Sequence, residues 1–126
     1  MPATHPDLLQ TFLRAVDAFN TNDYATFGSL LDDRATLTEI DHPLHTVRLK
    51  QPVIDFCQAK VNKDHAQFQT TGPISVDPQR GTVTGIAFWE DGVGAGRNSL
   101  KIKFHFIFSH DPTRGFLLLN MQAEPA

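Results

Sequence analysis

The 126-residue sequence holds a single cysteine, a single tryptophan and a single tyrosine, and each scarcity narrows what the chain can be. One thiol, Cys57, cannot close an internal disulfide, so nothing calls for an oxidising compartment. No apolar run approaches the ~20 residues of a membrane-crossing helix. The opening Met1-Pro2-Ala3-Thr4-His5-Pro6-Asp7 also lacks the basic start and apolar stretch of a secretory leader. The expected location is the cytoplasm, with no membrane partner. No Asn-x-Ser/Thr acceptor is present, which agrees with that. A basic excess is missing too: Lys and Arg number 11 against 14 acids, giving a net charge of -3. Phosphate binding needs a basic face, so nucleic acid is excluded as an expected partner.

Phenylalanine is what the chain has in quantity. Ten Phe stand in a composition that is 40% apolar and 20% charged, and Phe supplies bulk without a polar handle. One domain spanning residues 1–126 can bury roughly two-thirds of its unfolded surface, enough for a core with a hollow in it.

The first half of the chain has a helical period. Leu8, Leu9, Phe12, Val16 and Phe19 recur at three- and four-residue spacing behind Thr4 as a cap, with Pro6 and Asp7 in the first turn. Asp23 caps a second short helix carrying Tyr24, Phe27, Leu30 and Leu31, which Asp32-Asp33 is expected to end. Residues 35–41 read as a strand, 42–45 as a turn and 46–49 as its return. Pro52, Val53, Phe56, Cys57 and Val61 mark a third helix. The period then changes to two, and residues 68–76, 82–90, 100–109 and 116–123 are strand candidates.

Two of the intervening loops carry nearly the same text, Asp77-Pro78-Gln79-Arg80-Gly81 and Asp111-Pro112-Thr113-Arg114-Gly115. Proline early and glycine last suit tight hairpin turns, expected at the same edge of the sheet. The loop Gly92-Val93-Gly94-Ala95-Gly96 precedes a strand, whereas a dinucleotide fingerprint precedes a helix, so it is a hairpin loop.

In the third long strand Leu100, Ile102, Phe104, Phe106 and Phe108 share one face, and Lys101, Lys103 and His105 share the other. Its neighbours carry apolar bulk on both faces: Ile86 and Phe88 oppose Val83, Ala87 and Trp89, while Leu117, Leu119 and Met121 oppose Phe116 and Leu118. An apolar outer patch needs cover, which predicts a homodimer through the convex face of the sheet, with Trp89 and Leu118 in it.

The order of elements, with Asn20-Thr21-Asn22-Asp23-Tyr24 followed by Leu30-Leu31-Asp32-Asp33-Arg34-Ala35-Thr36-Leu37, resembles the nuclear transport factor 2-like superfamily and its "N-x-G-D … L-x-x-D-D-A-T" opening. That superfamily includes ketosteroid isomerases and SnoaL-like polyketide cyclases. The resemblance implies an α+β fold: a cone-shaped, curved antiparallel β-sheet packed on three N-terminal helices, cystatin-like, in α-β-α-β-β-β-β order. It also implies a cavity for a small apolar molecule. Carrying the isomerase pattern over puts Glu39 where the carboxylate base stands. It puts Ala15 and Phe104 where the tyrosine and neutral-acid donors should be. Without those donors an oxyanion would forgo about 3 kcal/mol or more of stabilisation from each, which argues against steroid isomerisation.

Glu39 is therefore the candidate general base, on the Leu37 and Asp41 side of its strand and among inward phenylalanines. Ligand-lining candidates are Phe12, Val16, Phe19, Tyr24, Asp41, His42, Phe56, Phe88, Phe104, Phe106, Leu119 and Met121. Asp41, His42 and His45 have the residue types of a metal site, but a turn containing Pro43 with no further His or Cys nearby reads as a solvated loop, and no metal is expected. Cys57 is read as a small core residue. Two functions are open: a cofactor-independent isomerase, cyclase or dehydratase acting on an apolar carbonyl compound, or a non-catalytic association module.

Overall fold

A computed structural model describes residues 7–38 and 46–126. Its elements are α1 (Leu8–Asn20), α2 (Tyr24–Ser29), β1 (Leu31–Thr38), β2 (Thr46–Arg48), α3 (Lys50–Asp64), β3 (Gln67–Asp77), β4 (Thr82–Asp91), a 3-10 turn (Gly94–Gly96), β5 (Asn98–Asp111) and β6 (Gly115–Pro125). Two helices thus precede the first strand, and a strand pair separates them from the third.

α1 is capped three residues later than the sequence suggested. Asp7 accepts a hydrogen bond from the Gln10 N–H at 2.8 Å, and the Gln10 side chain accepts from the Asp7 N–H at 3.2 Å. This reciprocal box satisfies two amides that a helix start leaves without partners. Asp23 caps α2 as expected, accepting from the Thr26 N–H at 3.1 Å.

Asp32 and Asp33 do not end a helix; they lie inside β1. Asp32 accepts from the Arg34 N–H at 2.8 Å, an Asx-type turn that leaves β1 irregular between Leu31 and Thr36. Short acidic side chains serve any backbone turn, so the same Asp-Asp text suits a helix end or a kinked strand. The Ser109 hydroxyl donates to the second Asp32 oxygen at 2.7 Å. Burial alone would raise the Asp32 pKa, but the bonds from the Arg34 amide and Ser109 outweigh it and hold the carboxyl below its ordinary value.

The six strands form one sheet in the order β2-β1-β6-β5-β4-β3. Four pairings are antiparallel, but β1 and β6 run parallel, so the sheet is mixed where an antiparallel one was expected. The parallel pair joins the first strand of the chain to its last. No hairpin links them, so no turn dictates their relative direction.

The repeated loop text does make matching turns. Asp77 accepts from the Gln79 and Arg80 amides, and Asp111 accepts from the Thr113 and Arg114 amides. Gly81 and Gly115 close them at φ 69° and 83°. At Gly81 glycine is required: a Cβ there would collide with the Phe108 carbonyl oxygen.

Pairing fixes which face of each strand meets the helices. Val83, Gly85, Ala87 and Trp89 stand directly opposite Phe106, Phe104, Ile102 and Leu100, so they share the inner face. The missing side chain of Gly85 makes room for the Phe104 ring, whose Cζ lies 3.0 Å from where a Cβ would be. Phe12 of α1 stacks on Phe104 with centroids 5.3 Å apart. Phe68 and Phe106 complete a four-ring cluster at 5.4–5.7 Å.

The end of α1 is fastened to the sheet edge by Asn20. Its amide nitrogen donates to the Phe68 carbonyl at 2.8 Å, and its oxygen accepts from the Phe68 N–H at 2.8 Å. β3 is an edge strand, and Asn20 acts there as one residue of a further strand.

Candidate functional site

Between the helices and the inner face of the sheet is a cavity of about 120 Å³. α1 contributes Ala15, Val16 and Phe19, and α2 contributes Phe27. α3 contributes Phe56, Cys57 and Lys60. The sheet side carries Leu37, Phe68, Trp89, Leu100, Ile102, Phe106, Leu118, Met121 and Ala123. Thr38, Lys60 and Gln122, the polar side chains of the lining apart from the Cys57 thiol, are partly or wholly exposed and mark where it opens.

The cavity exists because the phenylalanines stack with one another and leave the volume beside them empty. Phe12 and Phe104 are fully buried beneath it, while Phe68 and Phe106 belong to both the cluster and the wall. Phe19 bridges to Trp89 at 5.8 Å and to Phe27 at 6.2 Å, closing the side under α1 and α2. Small residues stand in the wall beside these rings: Ala15 on α1 and Ala123 on β6 do not fill the space between them.

Of the residues expected to line a ligand site, Val16, Phe19, Phe56, Phe106 and Met121 come together at this cavity. Phe12 and Phe104 lie one layer deeper. Tyr24 is spent on a structural bond: its hydroxyl donates to the Cys57 carbonyl at 3.3 Å and ties α2 to α3. Burial, with the nearby Cys57 thiol, pushes the Tyr24 pKa up to about 12. Glu39, Asp41, His42 and His45 lie outside the described residues.

Phe88 does not line the cavity. It stands opposite Lys101 on the outer face and is 36% exposed, whereas Trp89, expected on the convex side, is part of the wall. The two strand faces were correctly separated in the sequence but assigned the wrong way round. Leu118 is likewise inside, and Leu119 is displaced. Phe108 pairs with Leu118 and Ile107 with Asn120, so β6 carries one extra residue there. Such a bulge shifts side-chain parity by one, and parity counted along the sequence fails across it.

Cys57 lines the cavity, and burial pushes its pKa up to about 12, which keeps it a thiol at neutral pH and a poor nucleophile. At the two positions that the resemblance to ketosteroid isomerases matched to oxyanion donors, Ala15 presents a methyl and Phe104 a buried ring. No carboxylate lines the cavity among the described residues, and no group of three His, Cys, Asp or Glu there could hold a metal. No helix among them is long and apolar enough to cross a membrane.

Lys60 was not anticipated. Its signal was available, since Phe56 and Lys60 are four apart and share a face of α3. Phe68, Leu37, Leu100 and Ile102 were also missed as wall residues, because inner-face positions divide between core and cavity only once the helices are placed.

No protein-family profile matches the chain, and no curated protein matches it. Solved structures do. A protein of unknown function with a cystatin-like fold from Methylobium petroleophilum superposes with a TM-score of 0.76 at 13% identity, over 98% of this chain and 80% of its own. A protein proposed to be a dehydratase of the NTF2-like family, from Streptomyces avermitilis, gives 0.73 at 16% identity, over 92% of both chains. A protein proposed to be a calcium/calmodulin-dependent protein kinase II association domain, from Xanthomonas campestris, gives 0.74 at 10% identity, over 98% and 93%. With the α+β order and the mixed six-stranded sheet, these likenesses establish that the chain has the NTF2-like, cystatin-like fold.

Proposed function

We propose that the protein binds a small, largely apolar molecule in the cavity between α1, α3 and the sheet. The observation that carries this reading is the hollow itself, about 120 Å³ walled almost wholly by aromatic and aliphatic side chains. An engineered apolar cavity of about 150 Å³ stays dry and takes up benzene, and drug-sized ligands need about 300 Å³ or more. The enclosed part of the ligand is therefore one ring or a short branched chain. A four-ring steroid body would not be enclosed whole in that volume, and Ala15 and Phe104 supply no oxyanion donors.

Within this reading Glu39 is the general base, moving a proton on an apolar carbonyl compound in an isomerase, cyclase or dehydratase type of reaction that needs no cofactor. The support is sequence position: Glu39 follows Leu37, a wall residue, by two. A thermal-shift series with small aromatic ketones and aldehydes tests both parts. A ligand at 100 times its dissociation constant adds about 2.7 kcal/mol, and Val16→Phe, which fills the cavity, abolishes the shift. Glu39→Gln keeps the shift, loses turnover and leaves stability unchanged or raised, because an unpaired buried charge is itself costly. No shift with any compound counts against the binding site. A loss above about 2 kcal/mol in Glu39→Gln marks a structural anchor instead.

A second reading is favoured by Phe88. It is exposed on the outer face of the sheet two residues from Ile86, and Ile107 lies on the same face further along, opposite Thr82; neither isoleucine belongs to the core, and a homodimer through that face would cover all three. Trp89 and Leu118 cannot serve this purpose, since both pack toward the core. The likeness to an association domain lends the reading support. Light scattering tests it: a dimer at micromolar concentration that Phe88→Glu turns into a monomer supports association through this face, and a wild-type monomer ends it.

A further inference from the structure

Among the described residues Lys60 is the one charged side chain on the cavity lining. It sits at the boundary between the apolar interior and water, with its side chain 31% exposed. The ammonium is held there from two sides. It lies 5.4 Å from the centroid of the Phe56 ring, itself a wall residue, and 3.7 Å from a carboxylate oxygen of Asp64 one turn along α3. The second distance is too long for a hydrogen bond, so Asp64 orients the charge without engaging its donors.

We propose that the ligand is an organic monocarboxylate, with a single aromatic ring or a branched chain of similar size buried among the phenylalanines and its carboxylate on Lys60 at the mouth. This rests on the binding role proposed above and names the chemistry of the molecule bound. The arrangement matches an amphiphile end for end. The body exchanges water for Phe19, Phe68 and Phe106, which supplies the affinity. The carboxylate stays at the rim, where it avoids the desolvation that a fully buried ion would suffer. A lysine at a half-exposed rim orients the ligand and favours anions over neutral analogues, and its effect is screened by salt. The chain as a whole carries a net charge of -3 and does not attract anions, so the preference must come from Lys60 locally.

Calorimetric titration of benzoate, phenylacetate and 3-phenylpropanoate, each beside its primary amide, separates the two levels of the proposal. In the wild type at least one carboxylate binds about tenfold more tightly than its amide, equivalent to about 1.4 kcal/mol, and the difference shrinks at high salt. Lys60→Met keeps the apolar stem, binds the amide as the wild type does and loses the preference. Lys60→Arg retains it. Amide binding by Lys60→Met also shows that this variant is folded. Equal affinity for acid and amide in the wild type, or a preference that survives Lys60→Met, overturns the carboxylate assignment and leaves the apolar cavity in place as a binding site. Failure of every acid and every amide to bind overturns both.

Discussion

Replacing Asn20 with alanine deletes the two hydrogen bonds, each 2.8 Å, that fasten the end of α1 to the edge strand at Phe68. The amide and carbonyl of Phe68 are then left facing the place where a neighbouring strand would be. A buried polar group without a partner costs about 1–3 kcal/mol. These two are only partly buried, so water can reach them and the lower end applies, giving about 2–3 kcal/mol in total. At roughly 4 °C per kcal/mol for a chain of this length, the midpoint of thermal unfolding falls by about 8–12 °C. Urea unfolding followed by circular dichroism measures the free energy directly. The bond from Gln67 to the Asn20 backbone carbonyl, 3.0 Å, does not depend on the Asn20 side chain and should persist. Asn20→Asp is the informative companion, because it keeps the acceptor for the Phe68 N–H but sets a second oxygen against the Phe68 carbonyl, and it should be no better than alanine. A loss below about 0.5 kcal/mol for Asn20→Ala would mean that solvent replaces the side chain at no cost, and the account of Asn20 as an edge cap would fail.

Alkaline pH provides another test. Burial raises the Cys57 pKa from 9.0 to about 12, so the thiol holds its proton in the folded state where the unfolded chain has released it. The stability this contributes is complete below about pH 9 and is lost as pH rises toward 12, by up to roughly 4 kcal/mol. Tyr24 shifts in the same direction. Stability measured across this range should decline less steeply in Cys57→Ala, and equal slopes would contradict the assignment. At the hairpins, Gly81→Ala forces a Cβ against the Phe108 carbonyl at φ 69° and should cost about 2 kcal/mol or more, whereas Gly94→Ala at φ 55° meets no atom and should cost about 1 kcal/mol. Chemical denaturation of the pair decides it, and equal costs would remove the close contact as the cause.

The elements that read most clearly from the sequence are those with an uninterrupted period. Leu100 to Phe106 alternates without a break, and its faces are as expected because the bulge opposite lies in β6 and leaves the parity of β5 intact. The twin Asp-Pro-x-x-Gly-like loops were legible because aspartate at the first position and glycine at the last meet specific backbone demands of the turn. β4 was harder. Its two faces are both apolar, and only its pairing with β5 shows that Ala87 and Trp89 look inward while Ile86 and Phe88 look out. In β6 the extra residue at Leu119 reverses the count between Leu118 and Met121, and a single sequence carries no mark of a bulge there.

The candidate site was legible in kind and only partly in detail. Ten phenylalanines in a chain of 126 residues point to a greasy interior, yet whether a ring fills the core or walls a cavity depends on the stacking of Phe12 on Phe104 and on the small residues Gly85, Ala15 and Ala123. Asn20 was read only as part of a loop signature, because its partner Phe68 is 48 residues away. Lys60 looks like an ordinary solvated helix charge until the Phe56 ring and the cavity are seen beside it.

The most direct test is a titration of the wild type and of Val16→Phe with indole, followed by backbone and methyl nuclear magnetic resonance. Shifts in the wild type should concentrate on Ala15, Leu37, Ile102, Leu118, Met121 and Ala123, which surround the cavity from four elements, and should vanish in the filled variant. Shifts confined to the outer face around Ile86 and Phe88, or shifts that survive Val16→Phe unchanged, would show that the hollow between helices and sheet is not where this protein takes up a small molecule.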